Sequence, residues 1–264
     1  MITIQDIIDR LTASVEPIPN TVDTLTFGAP ETEITGIAVT FMATQQVLEQ
    51  SFQLGANLVI THEGTFYSHH DGTQALYADD VVYEAKKWYI EGTGLAVYRF
   101  HDYWHRFQPD GIMEGLIHAL GWQEHVTENL PAATLVTIPS MKLEQIIDVI
   151  KKRLGIHFMR AVGDRSTECT RIGLLAGYRG AGHNAIPLFS KYNLDLIIYG
   201  EGPEWETPEY VRDAMHAGKN NALIVLGHLE SEQPGMQLLA DRLRKWYPGI
   251  PVHYMPVDPV FRIV

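Results

Sequence analysis

Histidine and carboxylate side chains recur in this chain where apolar runs stop. Thr61-His62-Glu63-Gly64 follows Leu58-Val59-Ile60, His101-Asp102-Tyr103-Trp104-His105 follows Leu95-Ala96-Val97-Tyr98-Arg99-Phe100, and Gly227-His228-Leu229-Glu230-Ser231-Glu232 follows Ala222-Leu223-Ile224-Val225-Leu226. Imidazole and carboxylate donors without thiolate suit zinc, iron, manganese or cobalt. Two such ions bridged by a carboxylate could polarise a substrate and generate hydroxide near neutral pH. His228 and Glu232 are four residues apart, as are His101 and His105, so a helical turn would put each pair on one face. His62 and Glu63 are adjacent and would point to opposite faces of an extended strand; they can serve one site only if the chain turns, which Gly64 permits. Any one of these pairs alone reads as a surface pair more often than as a ligand pair. Their shared position at strand ends is what carries the argument.

The elements that position these residues are themselves repeated. Ala56-Asn57-Leu58-Val59-Ile60-Thr61-His62-Glu63-Gly64 lies over Leu194-Asp195-Leu196-Ile197-Ile198-Tyr199-Gly200-Glu201-Gly202, and each copy is followed by a second apolar run that ends in histidine, His101 or His228. Thr61 and Tyr199 are offset by 138 positions and His101 and His228 by 127, so both copies keep one order with unequal connections. The pattern predicts an α/β fold made of two related α/β half-domains, an internal duplication, spanning 1–125 and 126–264. In open α/β sheets ligands bind at the carboxyl ends of strands, where these residues fall.

Helical and strand periodicities alternate along the chain and favour a largely parallel sheet in each half. Helices are expected at 4–14, 43–54, 74–90, 110–120, 141–154, 183–192, 207–217 and 232–246. Strands are expected at 34–40, 57–61, 95–100, 133–138, 157–162, 171–176, 195–199, 222–226 and 251–256. Ser140 reads as the N-cap of the helix carrying Leu143, Ile146, Ile147 and Ile150. Gly177-Tyr178-Arg179-Gly180-Ala181-Gly182 has neither a P-loop ending nor dinucleotide-fingerprint spacing, so it reads as a tight strand-to-helix turn or as a backbone nest for an anion.

Bulk composition narrows the function classes. The 264 residues are 45% hydrophobic and 20% charged, an ordinary globular balance. Lys+Arg 20 against Asp+Glu 32 gives a net charge of −12, which repels phosphate backbones and anionic membranes and argues against nucleic-acid binding. A nucleotide or other small-molecule substrate is less constrained, because a metal can neutralise its phosphates locally. The single cysteine, Cys169, allows no intramolecular disulfide and fits a reducing compartment. No apolar run approaches the roughly 20 residues of a membrane span, and the opening Met1–Leu11 segment is amphipathic, so a cytoplasmic location without membrane attachment is expected.

The order of motifs, a strand ending Thr-His, a strand ending His-x-x-x-ligand and a strand ending Gly-His-x-x-x-Glu, resembles the NIF-three-like dinuclear-metal-centre family of GTP cyclohydrolase I type 2 homologues. The likeness covers the opening helix, Asn57 to Gly64, Val97 to His105, Leu143 to Gly163, Asp195 to Glu201 and Leu226 to Glu232. It implies two α/β halves facing across a metal-binding cleft, two divalent ions, and a toroidal homohexamer. Carried over residue by residue, it implies His62, Glu63, His105, His228 and Glu232 as metal ligands, with His101 and Glu201 as proton-moving or orienting residues. Two positions depart from the family pattern. Glu63 stands where the family has a second histidine, and His105 where it has aspartate, so donor types are exchanged while the count of three histidines and two carboxylates is kept. Asp102 is a candidate substitute ligand ranked below His105, and His69-His70-Asp71-Gly72 reads as a solvated loop or as a lid with accessory ligands. Tyr103, Trp104 and Trp205 could stack on a purine or pack structurally. His118, His125, His157, His183, His216 and His253 follow no ligand spacing.

Two function classes follow. One is a metal-dependent hydrolase acting on a heterocycle, amide or phosphate ester. The alternative is a non-catalytic oligomeric protein that binds metal or a partner.

Overall fold

A computed structural model describes residues 1–70, 77 and 79–262. Positions 74–76 and 78 of the expected 74–90 helix, and Asp71 and Gly72, lie outside the described residues. The fold is mixed α/β, with two sheets of five and six strands among the described residues. The chain forms two compact units, one of Met1–Gly111 with Met236–Asp258, and a second built on Ile112–Gly235.

In the first unit, α1 (Ile4–Thr12) starts at a capping box in which Thr3 and Asp6 satisfy each other's backbone N–H, and it buries Ile4, Ile7 and Leu11 on one face. The sheet runs β1-β4-β3-β2-β11, where β1 is Leu25–Phe27, β2 Ile37–Thr40, β3 Leu58–Thr61, β4 Ala96–Arg99 and β11 Val252–Met255. Every residue of β2, β3 and β4 is buried, as expected of parallel strands covered on both faces. Helices α2 (Gln45–Gln53) and α3 (Val81–Thr93) make the parallel crossovers, capped by Thr44 and Asp80 respectively. The core beneath them includes Ala38, Val47, Leu48, Val59, Tyr83, Ile90 and Val97, and each large side chain there contributes roughly 1.5–3 kcal/mol of burial. After β4 the chain enters a short helix, α4 (Asp102–Arg106).

The second unit holds α5 (Gly111–Leu120), β5 (Val126–Asn129), β6 (Thr134–Lys142), α6 (Leu143–Leu154), β7 (Arg160–Val162), β8 (Glu168–Leu175), α7 (Gly182–Lys191), β9 (Leu196–Tyr199), α8 (Thr207–His216) and β10 (Ala222–Val225). Its sheet order is β5-β6-β8-β9-β10-β7. Helix α9 (His228–Trp246) follows β10, and its part from Met236 belongs to the first unit.

The repeat is visible bond by bond. Strands β2-β3-β4 and β8-β9-β10 are both parallel triplets joined by two helices, with Thr40, Thr61 and Arg99 in register in one and Leu175, Tyr199 and Val225 in the other. Asn57 Oδ1 accepts from the Thr35 N–H, and Asp195 Oδ2 accepts from the Thr170 and Arg171 N–H groups, so both copies pin the start of the middle strand in the same way. The Ala96 N–H donates to the Asn57 carbonyl as the Ala222 N–H does to that of Asp195.

Three local expectations change. Only two of the five pairings in the second sheet are parallel, those of the repeated triplet; the flanking pairs β5–β6, β6–β8 and β10–β7 are antiparallel. Ser140 is not an N-cap; β6 runs through it to Lys142, its hydroxyl bonds to Glu168, and Lys142 occupies the cap position. The C-terminal strand β11, within the 126–264 segment, pairs with β2 of the first sheet. Sequence position alone does not say which sheet edge a final strand joins.

Candidate metal centre

In the first unit, β3 ends at Thr61 and the chain turns at once. The His62 and Glu63 N–H groups both donate to the Phe41 carbonyl, which fixes the corner. A Cβ on Gly64 would strike the Ser68 carbonyl, so only glycine lets the following loop fold back this closely. At the end of β4, Asp23 accepts from the N–H groups of His101, Asp102 and Tyr103 at 2.8, 2.8 and 3.0 Å, caps the first turn of α4 and so aims His101 and His105.

Three imidazoles meet there. The ring centroids of His62 and His101 are 4.5 Å apart, those of His62 and His105 5.0 Å, and those of His101 and His105 4.8 Å. One ligating atom from each falls within 4.8 Å of the others. Each Nδ1 is held by a different acceptor: His62 by the Phe100 carbonyl at 3.2 Å, His101 by Asp102 Oδ1 at 2.9 Å and His105 by Asp110 Oδ2 at 3.0 Å. Donation from Nδ1 places each ring's lone pair on Nε2, the tautomer a metal-binding histidine uses when an outer partner orients it. Burial and the neighbouring His62 push the His101 pKa down to about 4, so this ring is neutral at physiological pH. Asp102 is held well below the usual carboxylate range, first by its bond to His101 and also by bonds from Val22 and Thr21. It orients His101 rather than facing outward as a separate donor.

Glu63 sits beside this group in different company. Its Oε2 accepts from Arg99 Nη2 at 3.2 Å, and its Oε1 lies 3.9 Å from His101 Nε2. The Arg99 guanidinium, whose side chain is 2% exposed, also donates to the His62 carbonyl, to the His69 carbonyl and to His69 Nδ1. His69 thus reaches the cluster, and Glu63, His69 and His101 form a second group with donor atoms within 4.8 Å of one another. His70 is exposed.

In the second unit, the expected pair falls on the first turn of α9. His228 Nε2 lies 3.1 Å from Glu232 Oε2, and His228 Nδ1 lies 3.3 Å from Glu201 Oε1, so the imidazole is set between two carboxylates. Glu232 is 2% exposed. The Gly177 loop is part of this arrangement. Gly177 has φ +64, its N–H donates to Ser231 Oγ at 2.9 Å, and a Cβ there would collide with Glu232 Oε1. The first glycine of the Gly177–Gly182 run is therefore required for close approach to the carboxylate.

Arg99, Asp23 and Asp110 were not singled out in the sequence. Arg99 had a signal, a charge inside an otherwise apolar strand, which is rarely tolerated without a buried partner. Asp23 and Asp110 had none, since their targets are set by tertiary folding. Trp104 is fully buried against Phe100 and Phe107, with Arg242 stacked 5.0 Å from its ring, so it packs structurally; Trp205 is 77% exposed. His118, His125, His157, His183, His216 and His253 lie outside the donor clusters found among the described residues. No helix among the described residues is long and apolar enough to cross a membrane.

Comparison with known proteins agrees with this architecture. The chain is 23% identical over 229 residues to a GTP cyclohydrolase 1 type 2 homolog from Clostridium perfringens, covering 84% of this chain and 82% of that one. Its fold is similar to that of Staphylococcus aureus hypothetical protein SA1388 (TM-score 0.77, 16% identity, 99% of each chain). It is also similar to a Bacillus cereus protein related to NIF3 (TM-score 0.76, 13% identity, 100% of this chain and 99% of that one). A family model described as Duf34/NIF3 (NGG1p interacting factor 3) matches residues 7–259, and the chain belongs to that family.

Proposed function

We propose that this protein is a divalent-metal-dependent hydrolase whose substrates are heterocycles, amides or phosphate esters, with two ions bound per chain. The observation that supports this most is the set of three histidine rings in the first unit, each anchored through Nδ1 by its own acceptor. That outer anchoring is what a metal site needs and a merely structural histidine cluster does not. The donors within each unit suit such ions: His62 and His105 in the first, and His228 with Glu232 in the second, are nitrogen and oxygen ligands for zinc, iron, manganese or cobalt. A bound ion supplies Lewis acidity and activates water near neutral pH.

The chain's own residues supply orientation and proton handling. Glu201 accepts at His228 Nδ1 and fixes its ring, and its partly exposed carboxylate can take a proton from an incoming group. Asp102 and Asp110 hold the first-unit rings. The name of the Clostridium perfringens relative makes a purine nucleotide one substrate to test. Assembly into a toroidal homohexamer belongs to the same proposal and is checked by sedimentation of the purified chain.

The experiment is elemental analysis of purified protein combined with a metal-supplemented panel of nucleotides, amides and phosphate esters. Bound transition metal with metal-stimulated hydrolysis that falls in a Glu232→Ala variant is the expected result. Absence of both bound metal and hydrolysis would overturn the proposal, and bound metal without any turnover would leave a non-catalytic metal-binding role.

A further inference from the structure

We propose that His62, His101 and His105 together hold one of the two ions, each through Nε2, and that Glu63 stands beside this site as the partner of Arg99 rather than as a ligand. The inference rests on the metal-binding reading above and exchanges the roles that the family pattern implies for residues 63 and 101.

The geometry of His101 matches that of its two neighbours. It is stacked on His62, its Nδ1 is bonded to Asp102, and Asp102 is in turn bonded by the Thr21 hydroxyl and the Val22 N–H. A histidine held by a carboxylate that is itself held is the arrangement found behind metal-binding imidazoles. His105 is likewise bonded through Nδ1 to a carboxylate, that of Asp110. Two neighbouring rings, each bonded through Nδ1 to a carboxylate, lie at the Asp23-capped start of α4 and one turn into it, and are equivalent donors.

Glu63 is committed elsewhere. Its Oε2 accepts from the buried Arg99 guanidinium, whose other donors are spent on the His62 carbonyl and on His69. Drawing Glu63 onto a metal would leave a guanidinium buried without its counter-charge, the kind of loss that is strongly destabilising in a protein interior. The exchange at 105 has the same direction. With histidine where the family pattern has aspartate, the first-unit set becomes three imidazoles, which carry no charge and leave the ion its full positive charge. Three histidines with an open position are a donor set that zinc takes in catalytic sites.

The test compares His101→Gln with Glu63→Gln in the full chain, each loaded with excess zinc, dialysed and analysed for metal per chain. Cobalt-substituted samples are read in the visible range. His101→Gln is expected to lose one of the two metal equivalents and the cobalt absorption of that site, and Glu63→Gln to keep both. Metal loss in Glu63→Gln, or full stoichiometry in His101→Gln, would overturn the assignment while leaving the protein a metal binder. A wild-type chain that takes up no metal would instead overturn the functional reading on which it rests. Circular dichroism of both variants separates ligand loss from unfolding, and His101→Cys, which restores a nitrogen-free metal donor, should recover the lost equivalent if the position binds metal.

Discussion

Lys86 offers a quantitative test of how the corner carrying His62 and Glu63 is held. Its side chain rises from α3, is 4% exposed, and donates from Nζ to the Thr65 carbonyl at 2.6 Å, two residues beyond Glu63. The rings of Phe66 and Tyr67 each lie 5.5 Å from the ammonium. Burial lowers its pKa from the ordinary 10.5 to about 8. Between those values the unfolded chain binds the proton that the folded chain has lost, so stability rises with pH; the penalty is fully present below about pH 8 and is relieved towards pH 10.5. At about 1.36 kcal/mol per pH unit, most of the relief falls between pH 7.5 and 9.5 and amounts to about 2 kcal/mol. The assay is urea denaturation of wild type and Lys86→Met across that range, taking the difference between the two so that tyrosines titrating in both cancel. The wild type should gain about 2 kcal/mol relative to the variant as pH rises. A difference that stays flat, or that falls with pH, would refute a buried lysine that folds at the expense of its charge.

Three further outcomes follow from the same contacts. Arg99→Met should cost about 3–5 kcal/mol by stranding Glu63, and the Arg99→Met/Glu63→Gln double variant should recover part of that loss in denaturant melts. Gly177→Ala combines an unfavourable positive φ with a collision against Glu232, so it should lower both the melting temperature and the metal retained after dialysis, whereas Gly218→Ala, with positive φ but open space around it, should affect only the melting temperature. Asp23→Ala removes the cap of α4 and should cost about 1–2 kcal/mol, read by denaturation and by a change in fluorescence on loosening of the buried Trp104.

The sequence determined the framework because its signals are local. Short apolar runs set β2, β3 and β4 and their counterparts β8, β9 and β10, and the histidines and carboxylates that follow them are bound by the chain to emerge at the carboxyl ends of strands in each sheet. The i, i+4 spacing of His228 and Glu232 was likewise enough to place both on one helical face, since helix geometry is fixed by the backbone. What the linear chain does not carry is the partner of each charge. Residue order suggested Glu63 as a ligand and His101 as a proton-moving or orienting group; it could not show that folding sets Glu63 against Arg99, thirty-six residues away, and His101 against Asp102 with His62 stacked on its ring. Glycine 177 read as a generic turn because its reason, the Glu232 carboxylate pressed against it, lies fifty-five residues downstream. The β5, β6 and β7 pairings and the edge joined by β11 were also decided late, because antiparallel or parallel alignment depends on which neighbour offers an unpaired edge and not on the strand's own residues. Residue type and spacing set which atoms could bind a metal; the three-dimensional pairing of charges set which of them are already occupied.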